Sequence, residues 1–187
     1  MTSRKTYRKE QITAQAMIET PVGLVFLAFS ANGLKELTFM EEEAHSQSLS
    51  MKSTPETQSP PAEVLQKWRD QVAQAVEDYF AGKPGSFEAL SLDLQGSPFH
   101  LRVWQELRKI PSGETISYQE MARRLGNPKA ARAVGQACGA NPIPLIVPCH
   151  RVIAADGSLG GYSSGLPRKR WLLKHEGINV GDGTGNV

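Results

Sequence analysis

A nucleophile and a base stand side by side at Cys149 and His150, in the segment Pro148-Cys149-His150-Arg151 that follows the apolar run Leu145-Ile146-Val147. A thiol at its ordinary pKa of about 8.5 is only a few per cent thiolate near neutral pH. A reactive cysteine therefore needs an adjacent base or a local positive field, and His150 and Arg151 offer both. Pro144 and Pro148 fix the backbone on the approach and remove two amide donors, which predicts a rigid, non-helical presentation of the thiol. On these residues alone a packing role for Cys149 stays open, because free cysteine is among the most frequently buried residue types.

The elements that must position this pair can be read from the rest of the chain. With 187 residues, 40% of them hydrophobic, it can bury an ordinary core as one large or two small domains. Cys138 and Cys149 are its only cysteines, too few for a disulfide framework, and residues 1–11 are polar and basic, without the apolar centre of a signal peptide. No apolar run is long enough to span a bilayer. These features point to a reducing, cytoplasmic compartment. The net charge of +2 is unevenly spread: residues 1–94 carry 9 Lys and Arg against 13 Asp and Glu, whereas residues 95–177 carry 12 against 5. A basic second half suits a polyanionic partner, though a solvated basic face looks the same.

Val22 to Phe29 and Leu34 to Phe39 are β-rich runs around Asn32-Gly33, which predicts a hairpin. Residues 41–61, with three successive glutamates, scattered Ser and Thr and the pair Pro60-Pro61, lack periodicity and read as a mobile surface loop. Leu65, Trp68, Val72, Val76 and Tyr79 recur at three- and four-residue steps, so residues 62–81 form a helix whose stripe is core. Leu90 to Leu94 alternates as a short strand, and a new helical period begins after Ser97-Pro98 through Phe99, Val103 and Leu107. The expected organisation is an N-terminal domain over 1–94, a C-terminal domain over 95–178 and a flexible tail over 179–187.

Within the C-terminal part, Ser117 with Glu120 reads as a capping box for a short helix that Gly126 ends. Asn127 then caps a second helix with Pro128 at its first position, running to Gly139. Two short helices joined by a tight turn predict a helix-turn-helix. The second is slim, built on Ala130, Ala131, Ala133, Gly135 and Ala137, with Lys129 and Arg132 as its cations, so it suits either close approach to a nucleic-acid groove or tight core packing. Cys138 lies on its buried side.

The blocks Gly113 to Tyr118, Asn127 to Gly135, Asn141-Pro142, Pro148 to Ile153, Gly161-Tyr162-Ser163 and Trp171 to Gly177 resemble, in order, the motifs of the O6-alkylguanine-DNA alkyltransferases, also called methylated-DNA–protein-cysteine methyltransferases. The resemblance covers residues 95–177 strongly and the N-terminal part only in layout. It implies an α/β N-terminal domain, a ribonuclease H-like sheet plus helix, on a mostly α-helical C-terminal domain. The implied reaction is a single-turnover transfer of the alkyl group of O6-alkylguanine, or of O4-alkylthymine, onto Cys149, with the damaged base flipped out of duplex DNA. His150 would relay a proton, through a water, between Cys149 and Glu176, and Asn141 would join the recognition helix to the active-site segment.

The same resemblance makes Arg132 the finger that enters the minor groove, with Lys129, Ala130 and Ala131 beside it at the DNA, and Tyr118 the group that crowds the target phosphate and offers a proton to the purine N3. Backbone groups of Cys149, Val152 and Ser163 would read the base edge, Pro144 would form an apolar wall and Tyr162 would line the alkyl side. Ser164 adds a side chain where some members carry glycine. Some members hold zinc in the N-terminal domain, but here no cysteine precedes Cys138 and only His45 and His100 lie upstream of His150, so no metal and no cofactor are expected. A monomer is expected, nucleoid-associated if bacterial. The rival readings are a non-catalytic binder of alkyl lesions, which would lack the acceptor cysteine, a helix-turn-helix regulator, which would need an effector module, and a hydrolytic cysteine enzyme, which a stable thioether product disfavours.

Overall fold

The computed structural model describes residues 12, 14–40, 61–83 and 85–179. The expected loop over 41–61, save Pro61, and the expected tail beyond Asn179 lie outside the described residues. Three strands, β1 (Ala14–Thr20), β2 (Gly23–Ser30) and β3 (Gly33–Phe39), form an antiparallel sheet in the order β1-β2-β3. β1 alternates half-buried and exposed positions, as a one-sided strand should, whereas central β2 buries Val25, Leu27, Ala28 and Phe29. The hairpin forms where expected, with a shifted turn: Gly33 pairs with Ser30, so Ala31 and Asn32 make the turn and Gly33 opens β3 at φ +137°. That glycine is required by contact as well as by conformation, because a Cβ there would sit 2.4 Å from the Ser91 carbonyl oxygen.

Helix α1 (Ala62–Phe80) lies on this sheet and buries Val72, Ala75, Val76 and Tyr79, as its periodicity predicts. The strand expected over Leu90 to Leu94 is reduced to a single parallel bridge. Leu34 forms it, accepting from Asp93 N and donating to Ser91 O, and among the described residues Leu34↔Leu92 is the one bridge of this segment to β3.

The remaining elements are mostly helical. Helix α2 (Pro98–Leu107) starts at Ser97, whose hydroxyl accepts the His100 amide, and buries Val103, Trp104 and Leu107. A two-residue strand β4 (Ile116–Ser117) leads into α3 (Tyr118–Arg124), where Ser117 Oγ accepts the Glu120 amide at 3.0 Å. Only half of the expected capping box is made: the Glu120 carboxylate turns outward to Arg123 and Arg124. Asn127 caps the next segment through Lys129 N, but its first turn, Pro128–Ala130, is 3₁₀, and the α-helix α4 covers only Ala131–Gly139. Proline at the first position removes one amide and the tighter turn follows it. Trp104 Nε1 donates to the Ala137 carbonyl at 2.9 Å, locking α4 to α2.

After α4 come a 3₁₀ turn at Cys149–Arg151, a short strand β5 (Val152–Ile153) parallel to β4, and α5 (Leu166–His175). One continuous core includes the sheet, α1, α2, α4 and the loop through Val147. Leu37 N on β3 donates to the Pro142 carbonyl at 2.9 Å, so the sheet edge holds the loop that approaches Cys149. Among the described residues, no helix is long and apolar enough to cross a membrane.

Candidate active site

The loop from Asn141 to Pro148 enters the core instead of the surface: Ile143, Leu145 and Val147 are fully buried. Leu145 takes φ +76°, a left-handed conformation that a bulky residue adopts only when its surroundings impose it. The two prolines thus explain part of the rigid approach, and packing around Leu145 explains the rest. Asn141 is the loop's internal brace. Its Oδ1 accepts Ile143 N at 3.0 Å, and its Nδ2 donates to the Val147 carbonyl at 2.8 Å and to Cys149 Sγ at 3.2 Å.

Cys149 is buried, with 4% of its surface exposed. Burial pushes its thiol up to about 11, and the Asn141 amide and the Lys169 ammonium pull in the opposite direction. The resting group at neutral pH is therefore the thiol. Its neighbours lessen the cost of the thiolate without populating it, so deprotonation needs a base.

His150 is fully buried, and its Nε2 lies 2.9 Å from Glu176 Oε1. Glu176, although burial alone would raise its pKa, is held down to about 2 by its bonds to His150 and Arg151. It is an anion and only an acceptor, so Nε2 carries the proton and Nδ1 presents its lone pair. Nδ1 is buried and makes no hydrogen bond to the protein among the described residues. Burial lowers the pKa of His150, Glu176 raises it, and Arg151 and Lys169 lower it further. A neutral imidazole backed by a carboxylate is the form that can accept a proton.

Arg151, read from the sequence only as a positive field beside Cys149, organises the Glu176 corner. Its Nε and Nη2 take the two oxygens of Glu176 at 2.9 and 2.8 Å, and its Nη1 donates to the Ile110 carbonyl at 2.6 Å. Lys169 was missed. It has no exposed surface, and its ammonium donates to the carbonyls of Val152 at 2.7 Å, Leu159 and Gly161 at 3.1 Å. Burial lowers its pKa to about 8 against the opposing influence of Cys149 and Cys138. The available signal was its spacing: Lys169 shares a helix face with Leu172 and Leu173, both fully buried. Of the Val152 backbone groups, the carbonyl thus accepts from Lys169.

The parallel pairing of Ile116 with Val152 and Ser117 with Ile153 brings the start of α3 beside the Cys149 turn. Tyr118 stands there half-buried, its hydroxyl 3.4 Å from the Gly161 carbonyl, and burial raises its pKa. Tyr162 lies edge-on to His150, with ring centroids 6.4 Å apart, and Pro144 is buried beside the approach loop. A turn closed by Gly165 N to the Tyr162 carbonyl leaves Ser163 exposed, and Arg168 donates to the Ser164 carbonyl and to those of Val22 and Met40.

Arg132 in the first turn of α4 and Lys129 in the 3₁₀ turn before it are exposed, and Ala131 is half-buried. Ala130 departs from expectation: it packs into the core with 8% exposure, which leaves its side chain little surface for a partner. The slim face of α4 at Gly135 is turned towards the Tyr118 ring, where an added Cβ would come into ordinary contact at 3.8 Å. Cys138 is buried, its thiol pushed up to about 12, in line with the packing role read for it.

Residues 98–178 match the family model for the DNA-binding domain of 6-O-methylguanine DNA methyltransferase. The chain is 43% identical over 168 residues to the methylated-DNA–protein-cysteine methyltransferase of Methanosarcina acetivorans, an alignment covering 87% of this chain and 97% of that protein. Among solved structures, Mycobacterium tuberculosis OGT in complex with DNA superposes with a TM-score of 0.70 at 42% identity, over 87% of this chain and 91% of that one. The O6-methylguanine-DNA methyltransferase of Pyrococcus kodakaraensis does so with 0.58 at 26% identity, over 88% and 98%.

Proposed function

The chain belongs to the methylated-DNA–protein-cysteine methyltransferases, which repair DNA alkyl lesions by alkyl transfer to a cysteine, and from that premise we propose that the acceptor here is Cys149. The observation that carries this is the buried line of Asn141, Cys149, His150 and Glu176, with a donor on the sulfur and a free lone pair on the imidazole. The thiol proton leaves through a bridging water to His150 Nδ1, and Glu176 stabilises the imidazolium that results. The thiolate attacks the alkyl carbon, an S–C bond forms, and the C–O6 bond breaks with its electron pair passing to the guanine. Tyr118 donates a proton to the purine N3, which neutralises the leaving base as its charge develops. The thioether is stable to water, so the transfer occurs once per molecule.

The lesion base is inside a duplex, and reaching it costs a few kcal/mol of unstacking. The exposed Arg132 fills the space it leaves from the minor groove, with Lys129 and the backbone at Ala130 and Ala131 on the flanking phosphates. Helices α3 and α4 act as a helix-turn-helix, and the sheet with α1 is a ribonuclease H-like layout over residues 1–94. Cys149, Val152 and Ser163 read the base through backbone groups, Pro144 and Tyr162 line the alkyl side, and O4-alkylthymine is a second substrate. The protein works as a cytoplasmic monomer without metal or cofactor.

Intact mass after incubation with duplex DNA carrying O6-methylguanine tests this. The expected result is a gain of one methylene per molecule, saturating, and absent in Cys149→Ala. Repeated turnover, or a folded protein that gains nothing, refutes it. Arg132→Ala slows transfer from duplex DNA far more than from a free base, and equal losses refute the finger role.

A further inference from the structure

Glu176 Oε1 is crowded. It accepts from His150 Nε2 at 2.9 Å, from Arg151 Nη2 at 2.8 Å and from the hydroxyl of Tyr79 at 2.8 Å, while Oε2 accepts only from Arg151 Nε among the hydrogen bonds described. A carboxylate oxygen has two lone pairs, so three charge-assisted donors on one oxygen compete. Tyr79 comes from the last turn of α1, 97 positions before Glu176, and is 6% exposed. It is held at both ends. His175 Nε2 donates to the Tyr79 carbonyl at 3.0 Å, and the ring is stacked on Phe87 and meets Phe80 edge-on.

Sequence periodicity accounts for a buried aromatic at this position, but not for a hydroxyl aimed at the carboxylate behind the candidate base. We infer that Tyr79 is a positioning residue for alkyl transfer, by which the N-terminal helix limits how strongly Glu176 holds the His150 proton. The inference rests on the assignment of Cys149, His150 and Glu176 given above. With the hydroxyl in place, part of the Oε1 charge is spent on Tyr79, and the His150 bond is weaker than a carboxylate held by Arg151 alone would make it. Removing the hydroxyl concentrates that charge on Nε2–H and makes the imidazole more basic. The other groups facing His150 are Arg151, Lys169 and Tyr162, and among the bonds described none of them is hydrogen-bonded to the Tyr79 hydroxyl, which goes to Glu176. The sheet and α1 then contribute to the reaction itself, and not only to the stability of the second half.

The full chain carrying Tyr79→Phe keeps the ring and loses only the hydroxyl. With histidine labelled in its ring nitrogens, the Nε2 proton of His150 is expected to resonate further downfield than in the wild type. The acid limb of the transfer rate against pH is expected to move up by on the order of half a unit. Phe87→Leu is the packing control: it lowers the melting temperature but leaves the ring resonance in place. A His150 ring proton at the same shift in Tyr79→Phe and the wild type overturns the inference. That resonance is read without any transfer, so its failure is distinct from the failure of wild-type Cys149 to gain a methylene.

Discussion

Glu176→Gln separates the electrostatic role of this carboxylate from its shape. Its pKa of about 2, against an ordinary 4.5, is a gap of roughly 2.5 units, or about 3 kcal/mol at about 1.4 kcal/mol per unit. The side chain is 1% exposed, so solvent screens little of that. A folded-state pKa below the unfolded one means the stabilisation is complete above about 4.5 and is lost as the pH falls towards 2. Glutamine does not titrate. The wild type is therefore more stable than the variant by about 3 kcal/mol at pH 7, and the margin closes as acid protonates Glu176. The loss of the anion beside Arg151 is already contained in that figure, because the Arg151 bonds are among the causes that hold the carboxyl down. Urea unfolding of both proteins at steps from pH 7 to pH 3 reads the margin directly, and subtraction cancels the other carboxylates. In the folded variant, transfer to Cys149 at pH 7 falls by about 10²-fold, because the imidazolium loses its counter-charge. A stability margin that is the same at pH 7 and pH 3, or a variant as stable as the wild type at both, refutes the reasoning.

Lys169→Met leaves the carbonyls of Val152, Leu159 and Gly161 without their donor and is expected to cost roughly 2–4 kcal/mol in chemical denaturation at pH 7. Because the folded-state pKa of Lys169 is depressed to about 8 from 10.5, the unfolded chain binds the extra proton. The margin over Lys169→Met should therefore widen as pH rises from 8 to 10.5, and a shrinking margin counts against the assignment. Gly160→Ala places a Cβ 2.9 Å from Tyr118 Cε2 and 3.1 Å from its hydroxyl, at φ +64°. On the proposed chemistry Tyr118 serves the purine in both, so transfer should slow by about tenfold for a free base as well as for DNA; an unchanged single-turnover rate on the free base refutes this.

The local parts of this molecule were legible because local rules govern them. The α1 stripe, the Ser117 and Asn127 caps, the Asn32-Gly33 hairpin and the burial of Cys138 each follow from a few neighbouring residues. What failed depended on partners far along the chain. The alternation of Leu90 to Leu94 is that of a strand, but whether a strand forms is decided by how many groups β3 offers it, and among the described residues the one bridge is at Leu34. Strand β1 is bounded by Pro21, but with Ala14 and Ala16 on its inward face its apolar alternation is weak, and its pairing with β2 defines it. Cys149 and His150 were visible by adjacency, whereas Arg151, Tyr79 and Lys169 take their importance from what folding places against them. The spacing of Lys169 with Leu172 and Leu173 hints at a buried position, but nothing in sequence names the three carbonyls that receive its charge, or the carboxylate that receives that of Arg151.

The Asn141 amide on Cys149 Sγ has an implication for the protein after it has reacted. An alkylated sulfur carries no proton, is a poorer acceptor and adds a methyl group at a position with 4% exposure, where extra volume typically costs about 1–3 kcal/mol. The same asparagine braces the loop whose Pro142 carbonyl is bonded to the sheet edge at Leu37, so disturbance at the sulfur is transmitted to the seam between the two halves of the fold. On the proposed chemistry, repair leaves a mark on its agent. Each lesion removed converts a well-packed molecule into a less stable one, so a cell's quality-control machinery could tell spent copies from unused ones by their stability alone.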